Sequence, residues 1–317
     1  MVYKKLTNAE YLEKSAKELG VKQTYRDGAF QIFEHNGVEH KFLSSSSDGN
    51  DSVADRVCKN KIRANNLLEH WGYPVMPSIL YTTDEEALEF LTKHGKIVVK
   101  PLDSSFGKGV TINILDADDM FEAISFAVDK SQSSIVMLQK QTTGTDHRIL
   151  VIGQKEVFVM KKNTPILLGD GVSTIRELVD GENSKRLRSF EVHKPLEITD
   201  RVNTLLQKLN LSEDTVLSSG EKMEWDMAVG VEQYRIMEEV ADDTIDIIKQ
   251  VSVEISSKLG MDLIGLDIMT DDISDINCPY TIVEINSNPG LSWHMKPAVG
   301  KSYNVAEALL KHTFGIE

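Results

Sequence analysis

The sequence has little of what disulfide-stapled, zinc-binding or membrane-spanning proteins need. Two cysteines, Cys58 and Cys278, stand far apart among 317 residues and have no Cys or His at metal-ligand spacing, which argues against a disulfide framework or a zinc site and favours inert thiols. No apolar run approaches the length of a membrane span, and the start, MVYKKLTNAEYLEK, lacks the apolar core of a secretory signal. These absences predict a cytoplasmic protein without membrane contact.

Positive charge is also scarce, because Lys and Arg number 35 against 49 Asp and Glu, a formal net charge of -14. Broad electrostatic attraction to nucleic acid or to anionic lipid needs a basic footprint, so neither partner is expected. Any bound anion must rely on locally placed Lys and Arg. The 41% hydrophobic content provides for one large domain or two to three modest ones.

The periodicity predicts an α/β protein. A short piece over residues 1–55 contains a helix from Asn8 to Leu19, two strands, and the run Ser44–Asp51, which indicates a linker or loop. Two strand–helix units follow, which imply a mixed α/β layer. Further elements are a helix over 53–70, strands over 96–101, 110–114 and 135–139, helices over 83–94 and 116–131, a hairpin over 148–161, a helix over 174–180 with a polar connection to about 195, and helices over 242–259 and 305–312.

Two strands near the carboxyl terminus carry oxygen donors. Asp267 lies in an apolar, β-prone run, and Glu284 and Asn286 stand two apart in another. Strand alternation projects Glu284 and Asn286 from one face. Three such donors suit a hard cation such as Mg²⁺ that keeps ligand positions for phosphate and water. Alternatively, Asp267 caps a strand end and the other two form a solvated face.

A glycine-rich segment, Asp103-Ser-Ser-Phe-Gly-Lys-Gly109, joins two predicted strands directly after Lys100. Its backbone N–H groups can bind phosphate oxygens from one side, while Lys100 supplies a positive charge beneath them. The spacing differs from that of a P-loop, and the segment leads into a strand, not a helix. An ordinary glycine turn is the alternative.

A third segment runs from Gln139 to Arg148. Its edge backbone can hydrogen-bond to adenine, and the Asp146 carboxylate can accept hydrogen bonds from ribose hydroxyls. Arg148 can bind phosphate through its forked guanidinium. The alternative is a structural ion pair between Asp146 and Arg148. His147 points to the other face, which favours a structural histidine over a catalytic base. The sequence contains no convincing Ser/His/Asp or Cys/His arrangement.

The order of these segments resembles the ATP-grasp superfamily, and in particular the ATP-grasp region of cyanophycin synthetases and bifunctional bacterial glutathione synthetases. The resemblance covers about 51–312 and rests on VVKPLDSSFGKGVTIN, TGTDHRILVIG, GDGVSTIRELVDGEN, GLDIMTDDIS and IVEINSNPGLSWHMKPAVGKSYNVAEALL. It implies an ATP-grasp fold, α/β (α+β), with two α/β subdomains clasping ATP. The implied extents are a short N-terminal segment over 1–55 and an ATP-grasp domain over 56–317, with a lid at about 96–142 and a metal and substrate subdomain at about 143–317.

The resemblance also implies roles for individual residues. Lys61 and Lys100 would contact phosphates, the 103–109 hairpin would be a lid, and Asp146 would bind ribose. Asp267, Glu284 and Asn286 would bind two Mg²⁺ ions, for which Mn²⁺ can substitute. The other implied nucleotide contacts are Ser104, Ser105, Gly107, Lys108 and Gly109 in the lid and Gln139, Lys140, Gln141 and Thr142 at the adenine. The candidate catalytic residues, chosen for their positive charge, are Arg148, Lys222 and Arg235.

The implied reaction is ATP-dependent ligation of a carboxylate to an amine through an acylphosphate, with an amino acid or short peptide as substrate, in a homo-oligomer. Trp293, His294 and Lys296 follow the metal strand and can shape the acceptor pocket, with a packing role as the alternative for Trp293. Glu182–Arg186 either lie near the substrate cleft or form a solvated loop.

The chain departs from its relatives at the substrate end. After Lys222 the arginines and the glycine-rich N-[LI]-S-x-G-G turn of related ligases are absent over 223–235, and position 265 holds Gly where D-alanine ligases have Arg. Two other functions therefore stay open: a nucleotide-binding interaction protein that has lost ligation, and a small-molecule kinase.

Overall fold

The computed structural model describes residues 6–104, 107–189, 195–225 and 234–317. The chain divides into two compact units, each assembled from separate segments. The first comprises Met1–Ser78, Lys140–Lys161 and Met237–Glu317, and the second comprises Ile79–Gln139 and Lys162–Ile236. In the part of the chain so described, no helix is long and apolar enough to cross a membrane. The domain extents given above, which are continuous in sequence, stay a prediction.

The first unit begins with helix α1 (Asn8–Leu19) and a four-stranded sheet. The bounds of the helix are as predicted, and it ends at Gly20 in the left-handed conformation. The helix starts at a capping box in which Thr7 and Glu10 bond each other's backbone. Strand β1 (Lys22–Asp27) was not predicted, because its mixed polar sequence lacks alternation. The other strands, in sheet order, are β2 (Phe30–His35), β3 (Val38–Leu43) and β4 (Ser46–Ser47).

The serine-rich run after β3 is not a linker, and it includes the short strand β4 as well as loop residues. Ser44 adopts a left-handed backbone with φ of 60°, and Ser45 is completely buried. Asn50 accepts hydrogen bonds from the backbone N–H groups of Asp262 and Leu263. Buried hydroxyls with protein partners give the run a fixed place in the fold, which its composition does not reveal.

A five-stranded sheet forms the centre of the first unit. Its order is β13 (Ile236–Glu239), β10 (Glu156–Asn163), β9 (Thr145–Ile152), β14 (Leu263–Thr270) and β15 (Tyr280–Asn286). The predicted β9–β10 hairpin is confirmed, and it turns at Gly153 and Gln154, both with positive φ, as tight hairpin turns require. β14 pairs antiparallel with both β9 and β15.

Helices cover both faces of this sheet. Ile149 and Val151 of β9 pack with α8 (Asp246–Leu259), α2 (Ser52–Cys58) and α3 (Lys61–His70). Their neighbours Leu150 and Ile152 pack on the opposite face with α1 and α10 (Val305–Phe314). Because side chains alternate along the strands, the sheet has one apolar core on each face. The two strands that carry Asp267 and Glu284 lie between these cores.

The predicted helix from Val53 to His70 is two helices, and this prediction was wrong in its continuity. The Asn60 side chain accepts a hydrogen bond from the N–H of Arg63 and starts α3 anew. Lys61 is therefore the first residue of α3. The predicted start of α8 at Asp242 was four residues too early, since the helix starts at Asp246.

The second unit contains the glycine-rich segment that was predicted to form a lid. Its four-stranded sheet has the order β5 (Ser78–Leu80), β8 (Val136–Lys140), β6 (Ile97–Pro101) and β7 (Thr111–Ile114). Helices α4 (Asp84–His94) and α5 (Ala117–Lys130) pack on it through an apolar core. The predicted caps of α4, Thr83 and Gly95, are confirmed, as is the antiparallel pairing of β6 with β7.

The remaining part of the second unit has its own core around the fully buried Trp225. It is built from β11 (Ile166–Leu168), β12 (Lys222–Glu224), α6 (Ile175–Ser189) and α7 (Asp200–Lys208). The prediction of a short helix followed by a polar connection was wrong, because α6 continues through Glu182–Arg186. Arg186 is buried and bonds Glu182 and the carbonyl of Tyr234, so the run is not a solvated loop.

Candidate active site

A row of charged side chains crosses three adjacent strands of the five-stranded sheet. Arg148 on β9 stands opposite Asp267 on β14, and Asp267 stands opposite Glu284 on β15. The Arg148 guanidinium donates from Nε to Asp267 Oδ1 at 2.5 Å and from Nη2 to Oδ2 at 3.0 Å. Both side chains are buried. Such a two-bonded, charge-assisted pair holds the carboxylate in one orientation.

Asn286 completes the cluster, on the same face as Glu284, as period two predicts. In one orientation its Nδ2 lies 3.4 Å from Asp267 Oδ2. With the amide reversed, Nδ2 donates to Glu284 Oε1 at 3.1 Å and Oδ1 accepts from Arg148 Nη2 at 3.3 Å. We prefer the second orientation, because it pairs every donor with an acceptor. The predicted donors are thus brought together.

Close packing around Gly265 gives a physical reason for the glycine there. A Cβ atom at Gly265 would lie 3.0 Å from Pro289 Cβ and 3.2 Å from Arg148 Cδ. The strand that carries Asp267 therefore has no room for a side chain at this point. Arg148, from the neighbouring strand, provides the positive charge beside Asp267.

Aromatic side chains of α9 (Ser292–Met295) lie beside the cluster. The Arg148 guanidinium lies 5.1 Å from the Trp293 ring centroid, a cation–π contact that reinforces its orientation. His294 is fully buried, and neither of its ring nitrogens has a hydrogen-bond partner among the described residues. Burial, and then the charge of Arg148, lower the pKa of His294 to about 3, so the ring is neutral at physiological pH.

This buried histidine predicts a pH dependence of stability. Between pH about 6.5 and 3 the unfolded chain binds a proton at His294 that the folded chain does not, so stability falls as the pH falls below 6.5. The loss is about 2 kcal/mol at pH 5. We expect His294→Leu to reduce the difference in unfolding free energy between pH 7.5 and pH 5 by that amount. Equal differences in the wild type and the variant would contradict the assignment.

The donor set fits a divalent metal. Each carboxylate oxygen has two lone pairs, so Asp267 can accept from Arg148 and still ligate a cation. The described residues hold no group of three or more His, Cys, Asp and Glu able to bind a metal, and the cluster accordingly contains two carboxylates and one amide. That partial set suits Mg²⁺, which keeps water and phosphate oxygens among its ligands.

The predicted adenine and ribose residues lie at the end of β8, in the connection that follows it and at the start of β9. The N–H of Lys140 donates to the carbonyl of Pro77 at 2.9 Å, and the Thr142 hydroxyl donates to the carbonyl of Thr143. Gly144 has φ of 108°, and a Cβ there would lie 2.8 Å from the carbonyl carbon of Thr270. This close approach places Asp146 at the start of β9. Gln141 lies in the same connection, and His147 is buried with Nδ1 3.0 Å from the carbonyl of Thr145, as expected of a structural histidine.

The predicted phosphate residues of the second unit lie around β6. Lys100 is buried and donates from Nζ to Gln139 Oε1 at 2.8 Å. Ser104 donates to the carbonyl of Lys108 at 2.7 Å, which closes the hairpin. Gly109 has φ of 78°, and a Cβ there would lie 2.7 Å from Pro101. Gly107 also has positive φ, and Ser105 lies outside the described residues.

The two other predicted catalytic residues belong to the second unit. Lys222 begins β12 and is exposed, whereas Arg235 donates to the Thr164 hydroxyl. Of the unusual segment over 223–235, residues 226–233 lie outside the described residues. The site residues thus divide between the two units, and their roles stay predictions.

Comparison with known proteins identifies the fold. Residues 65–165 match the family model described as prokaryotic glutathione synthetase, ATP-grasp domain. The structure resembles that of a bifunctional glutathione synthetase from Pasteurella multocida, with a TM-score of 0.67 and 19% identity over 97% of this chain and 44% of that one. The chain has the ATP-grasp fold, as its motifs predicted, and residues 65–165 are similar to the ATP-grasp domain of prokaryotic glutathione synthetases.

Curated relatives are longer than this chain. It is 28% identical over 288 residues to the cyanophycin synthetase of Synechocystis sp., a match that covers 88% of this chain and 33% of that protein. It is 27% identical over 338 residues to the glutathione biosynthesis bifunctional protein GshAB of Listeria innocua, covering 98% of this chain and 42% of that protein. The chain therefore spans less than half the length of these relatives.

Proposed function

We propose that the chain is an ATP-dependent carboxylate–amine ligase that joins an amino acid or short peptide to an amine-bearing amino acid. The observation that carries the proposal is the buried pair Arg148–Asp267 with the half-buried Glu284 and Asn286 beside it. Two carboxylates, an amide and a fixed guanidinium on adjacent strands suit a metal-bound polyphosphate. The similarity to cyanophycin and glutathione synthetases supports ligation as the reaction.

In this proposal Asp267, Glu284 and Asn286 hold two Mg²⁺ ions, which neutralise phosphate charge when bound. Arg148 keeps Asp267 oriented and adds positive charge at the same place. Lys61, at the first turn of α3, and Lys100 contact phosphates, and the hairpin from Ser104 to Gly109 covers them. The strip from Gln139 to Thr142 holds adenine, and Asp146 holds ribose.

The proposed chemistry begins with attack of a substrate carboxylate oxygen on the γ-phosphorus of ATP, which forms an acylphosphate and releases ADP. An amine then attacks the acyl carbon and expels phosphate, so an amide bond forms and the amine loses a proton. The protein contributes orientation and charge neutralisation and needs no side-chain nucleophile. Trp293 and Lys296, just after the metal strand, are proposed to border the acceptor.

The experiment that tests this function is a screen for ADP release. The protein is incubated with Mg-ATP and with pools of amino acids and dipeptides, alone and in pairs, and products are identified by mass. We expect ADP, phosphate and an amide product when a carboxylate and an amine partner are both present. AMP release would contradict the proposal. Binding of Mg-ATP without turnover in any pool would favour an interaction protein, and a stable phosphorylated product would favour a kinase.

The homo-oligomer stays a prediction from the resemblance. Light scattering on the purified chain would test it, and a monomer at working concentrations would contradict it.

A further inference from the structure

The loop that follows the metal strand, residues 287–291, is held by the N-terminal segment. Asn8, the first residue of α1, contacts it through both ends of its side-chain amide. Its Oδ1 accepts from the N–H of Leu291 at 2.9 Å, and its Nδ2 donates to the carbonyl of Pro289 at 3.1 Å. Pro289 and Leu291 are both buried.

Ser45 contacts the same loop from the turn after β3. Its backbone N–H donates to Asn288 Oδ1 at 3.0 Å. Its hydroxyl lies 2.6 Å from Asn288 Oδ1 and 2.7 Å from the carbonyl of Pro289, and its single proton serves one of them at a time. The left-handed backbone of Ser44 brings Ser45 to this place, and unfavourable backbone of this kind persists only where the surroundings hold it.

The position of this loop is tied to the charged cluster. Pro289 packs against Gly265, and Gly265 stands opposite Asn286 and beside the Arg148 side chain. The peptide bonds of the described chain are trans. Because the Pro289 carbonyl faces Asn8 and Ser45, the N–H of Gly290 in the same peptide group faces the other way. A displaced loop would therefore move Asn286 and turn that N–H.

We propose that Asn8 and Ser45 are positioning residues of the active site, which they serve by fixing the 287–291 loop and with it Asn286. The inference rests on the proposed function. It makes the N-terminal segment part of the ligation machinery and assigns a role to the serine-rich run. Neither residue touches the reacting atoms.

The test compares Asn8→Ala, Ser45→Ala and the double variant with Asn50→Ala. Asn50 is a matched control of the same segment. Its side chain accepts from the N–H of Asp262 at 2.8 Å and of Leu263 at 3.1 Å, where β14 begins. Three quantities are measured: Mn²⁺ affinity in the presence of ADP, by electron paramagnetic resonance; kcat and KM for ATP; and the melting temperature.

We expect each single variant to weaken Mn²⁺ binding about fivefold and the double variant about thirtyfold. These factors correspond to the net free energy of one hydrogen bond and of two or more hydrogen bonds, respectively. kcat should fall in parallel, with little change in KM for ATP. Asn50→Ala should lower the melting temperature and leave Mn²⁺ affinity as in the wild type. Mn²⁺ affinity in the Asn8 and Ser45 variants equal to that of Asn50→Ala would overturn the inference.

Two further outcomes are decided by the same design. If the N-terminal variants do not fold, Asn288→Ala removes the acceptor of the Ser45 N–H from an exposed side chain of the loop itself. It should weaken Mn²⁺ binding about fivefold, and unchanged binding would overturn the inference. A wild type that binds no Mn²⁺ with ADP would instead refute the proposed function, whatever the variants do.

Discussion

Glu284→Gln is expected to lower the rate of ADP release by about 100-fold or more while the protein stays folded. Changes to groups that merely orient metal ligands cost about 10- to 100-fold, so loss of a ligand charge should cost at least the upper figure. Glu284 is only half-buried and stands at the end of the row. Its replacement therefore weakens binding of the metal that neutralises phosphate charge, without leaving a buried ion unpaired. Steady-state ADP release and Mn²⁺ binding measure the two effects.

Asp267→Asn should lower the rate of ADP release by at least the same factor. It should also destabilise the fold, because it removes the partner of the buried Arg148. Comparison of the Glu284 and Asp267 variants therefore separates the effect on metal binding from the effect on stability. A control on β15, the strand of Glu284, is Thr281→Ser, whose residue lies opposite Met269 and away from the cluster. Unchanged turnover in both acid variants would show that the metal assignment is wrong.

Arg148→Gln is expected to produce the largest loss of stability in the first unit, about 3–5 kcal/mol. Its pair with Asp267 is buried on both sides, and removing one member leaves a charge without compensation in a low-dielectric environment. The exposed pair Arg26–Glu13 provides the control, since Arg26→Gln should cost at most about 1 kcal/mol. Urea unfolding followed by circular dichroism gives both values.

The double variant Arg148→Gln/Asp267→Asn sharpens this prediction. Because both charges are then absent, its loss of stability should be smaller than the sum of the two single losses by about 1 kcal/mol or more. Simple additivity would mean that the two side chains do not stabilise each other. The expected coupling would explain why β9 and β14 keep an arginine and an acid in register.

The grouping of Asp267, Glu284 and Asn286 could be predicted from sequence because its signals are local. Alternation in 280–286 places Glu284 and Asn286 on one face, and apolar neighbours place Asp267 in a strand. The Arg148–Asp267 pair was missed, because it depends on the register between two strands separated by more than a hundred residues. Gly153-Gln154 marks the β9–β10 turn in the sequence. No local signal sets the antiparallel register of β14 against β9, which depends on the tertiary structure.

The N-terminal contribution was missed for a different reason. Serine and asparagine are typical of loops, and the sequence gives no sign that Ser45 is buried against Pro289. Arg186 was misjudged in the same way, since a basic, polar run suggests solvent exposure. Long charged side chains can bury their stems and bond a carbonyl, and only the fold reveals which of them do.

The central claim is ligation through an acylphosphate, and oxygen transfer tests it most directly. A productive pair of substrates is prepared with ¹⁸O in the carboxylate and incubated with Mg-ATP, and the released phosphate is analysed by mass spectrometry. Because the carboxylate oxygen that attacks phosphorus leaves with it, the account predicts one ¹⁸O atom in each phosphate, in step with ADP and amide. Unlabelled phosphate, or label retained in full by the product, would contradict it.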